Sequence, residues 1–287
     1  MDMNRIYHHT IVTLAAFSLS IGVCDVAAQP RPSDKPDAPI VLQHPWSKKK
    51  VAYLGDSITD PKNKCASKKF WQCLQEWLGI EPYVYGVSGR RWNDIPRQAE
   101  KLKAEHGDDF DAIIVFVGTN DFNGATPIGE WWTYTEDTVS YARHAKVQRE
   151  LRRQRRPSMD KSTYRGCINI AIDKLKRMYP TKQIVLLTPL HRGYATFSAD
   201  NVQPAENVQN ACHEWIDEYV NSVVEAGSIW SVPVIDWNAL SGINPMVEQQ
   251  RIYFSNAEND QLHPNDLGHR RLAQLLMWQL INIPATF

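Results

Sequence analysis

Short apolar runs alternate with longer amphipathic stretches along most of the chain, and that rhythm predicts the fold. Val51 to Leu54 is apolar throughout and meets Gly55 at once, the pattern of a buried strand that ends in a sharp turn. Phe70, Trp71, Leu74, Trp77 and Leu78 then recur at helical spacing up to Gly79. Pro82 to Val87 predicts a second strand, and Asp94 to Glu105 an amphipathic helix capped by Asn93. Ala112 to Val117 is the strongest buried-strand signal, a continuous run dominated by β-branched residues. Ile168, Ile170, Ile172, Leu175 and Met178 predict a helix over 164–179, and Gln183 to Leu187 a fourth strand. A long helix is expected over Ala205 to Ala226, a fifth strand over Val232 to Ile235 and a last helix over Asp266 to Asn282. Strands alternating with helices imply a parallel sheet with helices on both faces.

Three stretches break the rhythm. An N-terminal segment, residues 1–28, combines a flanking Arg5, an apolar run from Ile11 to Val23 and a small-residue site at Val26-Ala27-Ala28. It reads as a cleaved signal peptide, too short to span a bilayer, so a secreted or periplasmic protein without membrane insertion is expected. Residues 29–49 hold Pro30, Pro32, Pro36, Pro39 and Pro45 among charges and read as an extended tether to a domain over 50–287. Inside that domain, about 122–164 is an insertion with Trp131, Trp132, Tyr134 and Tyr141, then nine Lys or Arg between Arg143 and Arg165. It reads either as a lid or binding insertion or as a solvated basic helix.

Formal charge is zero over the whole chain, which gives no reason to expect a nucleic-acid partner. Cys65, Cys73, Cys167 and Cys212 follow the leader, an even set that an oxidising compartment could pair and a core could equally hide. No Cys-x2-Cys or His-x3-His spacing occurs, so neither a metal nor a cofactor is expected.

The chemistry gathers where strands end. The first strand runs into Gly55-Asp56-Ser57, the second into Gly86-Val87-Ser88-Gly89, and the third into Gly118-Thr119-Asn120-Asp121. Asp260-Gln261-Leu262-His263-Pro264 stands directly before the last helix. A parallel sheet delivers the carboxyl ends of its strands to one rim, where these segments can converge. A serine hydroxyl needs a base to become a nucleophile, and His263 is the candidate for Ser57, with His191, His213 and His269 as competitors. Asp260 can orient the imidazole and stabilise its charged form. The Ser57 and Gly89 backbone N–H groups and the Asn120 amide can meet a developing oxyanion.

These four blocks resemble those of the SGNH/GDSL hydrolase superfamily over about Val51 to Asn282. The resemblance puts Ser57 on the family's nucleophile, Gly89 and Asn120 on its oxyanion donors, and His263 and Asp260 on its base and partner. It implies a three-layer α/β/α, flavodoxin-like sandwich around a parallel sheet of about five strands, with metal-free serine esterase chemistry. Ile58 stands where the family often has leucine, and Val84 where the second block often has asparagine.

The substrate is open to several readings. Arg90 and Trp92 follow Gly89, Trp131 and Trp132 follow Asn120, and His191 and Arg192 follow the fourth strand. Flat rings suit sugars and guanidinium groups suit carboxylates, so these six are candidate substrate-binding residues. With export, they favour removal of acetyl groups from a polysaccharide, as in exported bacterial carbohydrate esterases. A lipid or short-chain acyl esterase or thioesterase is the second reading, and a non-catalytic carbohydrate-binding protein the third.

Overall fold

A computed structural model describes residues 43–144 and 146–283; the expected leader and residues 29–42 of the expected tether lie outside it. Residues 43–49 do not behave as a tether. Trp46 is fully buried, His44 Nε2 donates to the Met277 carbonyl at 2.8 Å, and Lys48 N donates to the Leu78 carbonyl at 2.9 Å. A tryptophan with an apolar pocket in reach gains more by burial than an extended segment keeps as freedom.

The apolar runs become the central strands. In chain order, β1 (Lys50–Gly55) is followed by α1 (Phe70–Leu78), β2 (Glu81–Val84) and α2 (Ile95–His106), then β3 (Ala112–Phe116) and the short α3 (Thr119–Asn123). The insertion contributes β4 (Trp132–Arg143) and β5 (Lys146–Pro157). The main rhythm resumes with α4 (Tyr164–Met178) and β6 (Gln183–Leu187), interrupted by the small strands β7 (Ala195–Ser198) and β8 (Asn201–Gln203). The chain continues through α5 (Ile216–Trp230), β9 (Val234–Ile235) and α6 (Trp237–Leu240) to β10 (Phe254–Asn256), β11 (Asp260–Pro264) and α7 (Asp266–Ile281).

Five strands form one sheet in the order β2-β1-β3-β6-β9, every neighbouring pair parallel. Alternate residues face opposite layers, as the two-residue period of a strand requires. Ala52, Leu54, Ile113 and Val115 pack with α2, α4 and α5, while Val51, Tyr53, Ile114 and Phe116 pack with α1 and α7. The architecture is the expected α/β/α sandwich. A second, antiparallel sheet, β10-β11-β7-β8, joins strands from two separate stretches of the chain and carries His263 on β11.

Two expectations are corrected. The long helix over Ala205 to Ala226 begins only at Ile216 and runs on to Trp230. Upstream, Asn210 Oδ1 accepts from the N–H groups of Cys212 and Glu214 at 3.1 and 3.0 Å, which ties those donors into a loop instead of a helix. The basic stretch is not a helix either: Trp132 to Arg143 pairs antiparallel with Lys146 to Pro157 in an unbroken register. Every charged side chain described on this hairpin is exposed, so a polar pattern on both faces hid the strand period.

Candidate active site

The turn after β1 is held from three sides. Gln98 clamps the Gly55 peptide with both amide atoms, accepting from its N–H at 2.8 Å and donating to its carbonyl at 2.9 Å. Asp56 accepts the Ile58 N–H at 3.0 Å. Burial pushes the Asp56 carboxyl up to about 7, partly offset by that Ile58 bond. Thr59 wedges between two loops: a Cβ on Gly86 would stand 2.6 Å from Thr59 Cβ, so only glycine lets the β2 loop approach this closely. Asp60 completes the link, with one oxygen accepting from Ser88 N at 2.9 Å and Ser88 Oγ at 2.8 Å.

That link sets Gly89 beside Ser57. Gly89 has φ +77°, a conformation that costs glycine little, and no atom lies within 4 Å of where its Cβ would be. The space in front of its peptide is therefore open to a substrate. Asn120, near the start of α3, is fixed by an Nδ2 bond to the Arg90 carbonyl at 3.1 Å. Ser57, Gly89, Asn120 and His263 all line one cleft of about 240 Å³.

The hydrogen-bonded chain through that cleft is complete. His263 Nε2 stands 2.9 Å from Ser57 Oγ, and its Nδ1 is 3.1 Å from both oxygens of Asp260. Asp260 Oδ1 also accepts the backbone N–H groups of Leu262 and His263 at 3.3 and 3.1 Å. Burial is the largest single influence and disfavours the charged imidazole, but the hydrogen bonds to Asp260 and Cys65 and the charges of those two groups together outweigh it and hold His263 up at about 9. Burial likewise works against the Asp260 carboxylate, and the His263 side-chain bond, its charge, the His263 N–H and the Cys65 thiol together keep it below the usual range. The geometry can pass a proton from serine to imidazole while an oxyanion is met by N–H donors.

The competing histidines are elsewhere. His269 is fully buried, and burial drives it down to about 3. His191 Nδ1 is held by Glu206 at 2.7 Å, and His213 sits in a left-handed turn at φ +64°.

None of the six expected substrate-binding side chains lines the cleft. Trp92 is fully buried, its indole N–H donating to Tyr164 Oη at 3.1 Å, because the α2–α4 layer needs a large apolar filler there. Arg192 is 1% exposed and works from below: Nη1 donates to the carbonyl and Oγ1 of Thr119, and Nη2 to Gln203. Burial lowers its guanidinium to about 10. Trp131 is buried with its N–H on Glu225, and Trp132 lies under the Arg155 guanidinium at 4.2 Å at the root of the hairpin. Arg90 faces Asp94 at 3.6 Å and lines a different cleft with Tyr85 and Arg97, and His191 is occupied with Glu206.

The residues that do line the cleft beside the reacting groups were not legible in the sequence. Asn63, Ser88, Phe197, Asn201 and Gln203 arrive from the β1 and β2 loops and the β7–β8 hairpin. The Phe197 ring meets the His263 ring edge-on with centroids 5.3 Å apart. Cys65, Cys73, Cys167 and Cys212 are free thiols, and Cys65 donates to Asp260 Oδ2 at 3.4 Å.

A serine, a histidine and an aspartate joined in this order at the rim of a parallel α/β sheet define the serine hydrolase class. The family model for GDSL-like lipases and acylhydrolases matches residues 53–271, and the chain belongs to that family. Among solved structures, a Lactobacillus plantarum protein superposes with a TM-score of 0.63 at 23% identity, over 82% of this chain and 98% of its own. A possible lipase from Chitinophaga pinensis gives 0.60 at 21% identity, over 82% of this chain and 98% of its own. At these identities the superpositions speak to the fold. No curated protein matched the sequence.

Proposed function

We propose that the protein is an exported esterase that removes acetyl or similarly short acyl groups from a carbohydrate. The observation that carries this is the character of the cleft: of its ten lining residues, only Phe197 and Leu262 have large apolar side chains. At about 240 Å³ it is also below the usual range of about 300–1,000 Å³ for small-molecule pockets. A long alkyl chain would find little apolar surface to bury there, whereas Asn63, Ser88, Asn201 and Gln203 offer hydroxyl and amide partners for a polyol.

In this reading His263 Nε2 takes the Ser57 proton as Oγ attacks the acyl carbon. The Ser57 and Gly89 N–H groups and the Asn120 amide stabilise the resulting oxyanion. His263 returns the proton to the departing sugar hydroxyl, leaving an acyl-serine. Water, deprotonated by the same imidazole, releases the acid and restores the hydroxyl. Asp260 holds the ring in the required tautomer throughout.

The test is turnover of p-nitrophenyl esters from acetate to decanoate by wild type and Ser57→Ala, followed by acetate release from acetylated polysaccharides. Activity concentrated at acetate and lost in the variant is expected. Faster turnover of decanoate would overturn the carbohydrate reading in favour of a lipid esterase.

A further inference from the structure

Cys65 approaches the aspartate–histidine pair from outside the substrate cleft. It lines a separate surface cleft of about 520 Å³ with Ser67, Asn265 and Asp266, and the two clefts share no lining residue. The loop that carries it is pinned at both ends. Cys65 N donates to Asn63 Oδ1 at 3.0 Å, and Asp266 accepts from Ser67 N at 2.6 Å and Lys68 N at 3.0 Å. Cys65 itself is half-buried, and its thiol donates to Asp260 Oδ2 at 3.4 Å.

A thiol, a carboxylate and an imidazole are the donor set preferred by soft and borderline divalent cations. Here the donor atoms of Cys65, Asp260 and His263 all lie within 4.8 Å of one another. Two of the three edges can be compared with metal–ligand geometry. With metal–ligand lengths of about 2.3 Å to sulfur and about 2.0 Å to nitrogen or oxygen, the 3.4 Å Sγ–Oδ2 edge subtends about 105° at a bound ion. The 3.1 Å Nδ1–Oδ2 edge subtends about 100°. Both are near the tetrahedral angle.

We propose that Cys65, Asp260 and His263 form an inhibitory site for a divalent cation of the zinc class, loaded through the Cys65 cleft. This rests on the Ser57–His263–Asp260 reading above. Binding displaces the thiol proton and the Nδ1 proton of the imidazolium to solvent and uses the Nδ1 lone pair so freed. The ring's remaining proton then sits on Nε2, which can no longer accept the proton of Ser57. The ion also occupies the carboxylate that would stabilise an imidazolium. Because the ion enters away from the substrate, inhibition is noncompetitive.

Two measurements test this. Zinc titrated into wild type, Cys65→Ser and Cys65→Ala, each scored against its own uninhibited rate, is expected to inhibit wild type reversibly with a chelator. The variants should need at least about tenfold more metal, a loss of the size that follows from disturbing a metal shell. Independently of turnover, cobalt(II) added to Ser57→Ala protein is expected to give a thiolate-to-metal absorption band in the near ultraviolet. That band should vanish in Ser57→Ala/Cys65→Ser, with folding of every variant checked by circular dichroism. Equal zinc inhibition in the Cys65 variants, or a cobalt band that survives loss of Cys65, overturns the site. A fully active Ser57→Ala enzyme would instead overturn the hydrolytic reading and leave the cobalt result to stand alone.

Discussion

Arg192 and Arg155 are both guanidinium groups over an aromatic ring, the first 5.5 Å from the centroid of Phe122 and the second 4.2 Å from that of Trp132. The rim of the sheet makes Arg192 a buried brace, 1% exposed and bonded to Thr119 and Gln203. The β4–β5 hairpin leaves Arg155 exposed on a ribbon of twelve-residue strands that pair only with each other. The same kind of guanidinium–aromatic contact is thus an architectural joint in one region and a surface contact in the other. Desolvation decides the difference. A buried guanidinium must satisfy its donors or lose several kcal/mol, whereas an exposed one loses little when its partner goes. Clusters of arginine and tryptophan near a motif therefore carry no functional meaning until their burial is known.

Substitutions can sharpen this contrast. The largest effect belongs to the rim's chemistry: Ser57→Ala should lower kcat by about 10⁴-fold or more while leaving the melting temperature close to that of wild type. Retention of more than a few per cent of activity would remove Ser57 from the nucleophile role. Next comes the rim's architecture. Trp92→Ala opens a cavity under α2 and α4 and should cost about 3–5 kcal/mol in urea unfolding; a cost under about 1 kcal/mol would return Trp92 to the list of candidate ligands. Asn120→Ala should reduce kcat by about 10²–10³-fold with little change in KM, since it removes one oxyanion donor, and a pure KM effect would make it a binding residue instead.

Proton linkage gives the fourth expectation. The base form of His263 is needed for turnover, and the folded protein holds the ring protonated up to about 9. The acid limb of kcat/KM should therefore rise about tenfold per pH unit and level off near pH 9. The same raised value means that His263 contributes stability in full below its ordinary value of about 6.5, and that this is lost as pH rises through about 9. An acid limb that levels off at pH 6 would contradict the raised His263 value. The smallest effect belongs to the hairpin: Arg155→Ala should cost under about 1 kcal/mol and leave p-nitrophenyl acetate turnover unchanged. A large loss of stability there would mean that the ribbon is not the solvated element it is drawn as.

The legible part of the molecule was the part whose signal is local. Val51–Leu54 and Ala112–Phe116 are apolar at every position because helices cover both faces of their sheet, and each ends in a motif with its chemistry in sequence order. Ser57, Asp260 and His263 came together as expected because adjacent motif loops share the rim. The burial of Trp92 and Arg192 is set by residues elsewhere in the chain, Tyr164 for the first and Thr119 and Gln203 for the second, so nothing local marks either as buried. The hairpin escaped because neither of its faces is buried, so no two-residue alternation marks it. The contact between Cys65 and Asp260 joins residues 195 positions apart, and neither residue has a local pattern that announces the other.

One consequence concerns biosynthesis. Ser57 and His263 are separated by 206 positions in the chain. At a synthesis rate of about 5–20 residues per second, the serine is made roughly 10–40 s before its base exists. Throughout that interval the nascent polypeptide carries an unactivated hydroxyl and cannot cleave an ester. Because β11 and α7 are translated last, appearance of turnover during cell-free synthesis would serve as a clock for completion of the C-terminal elements.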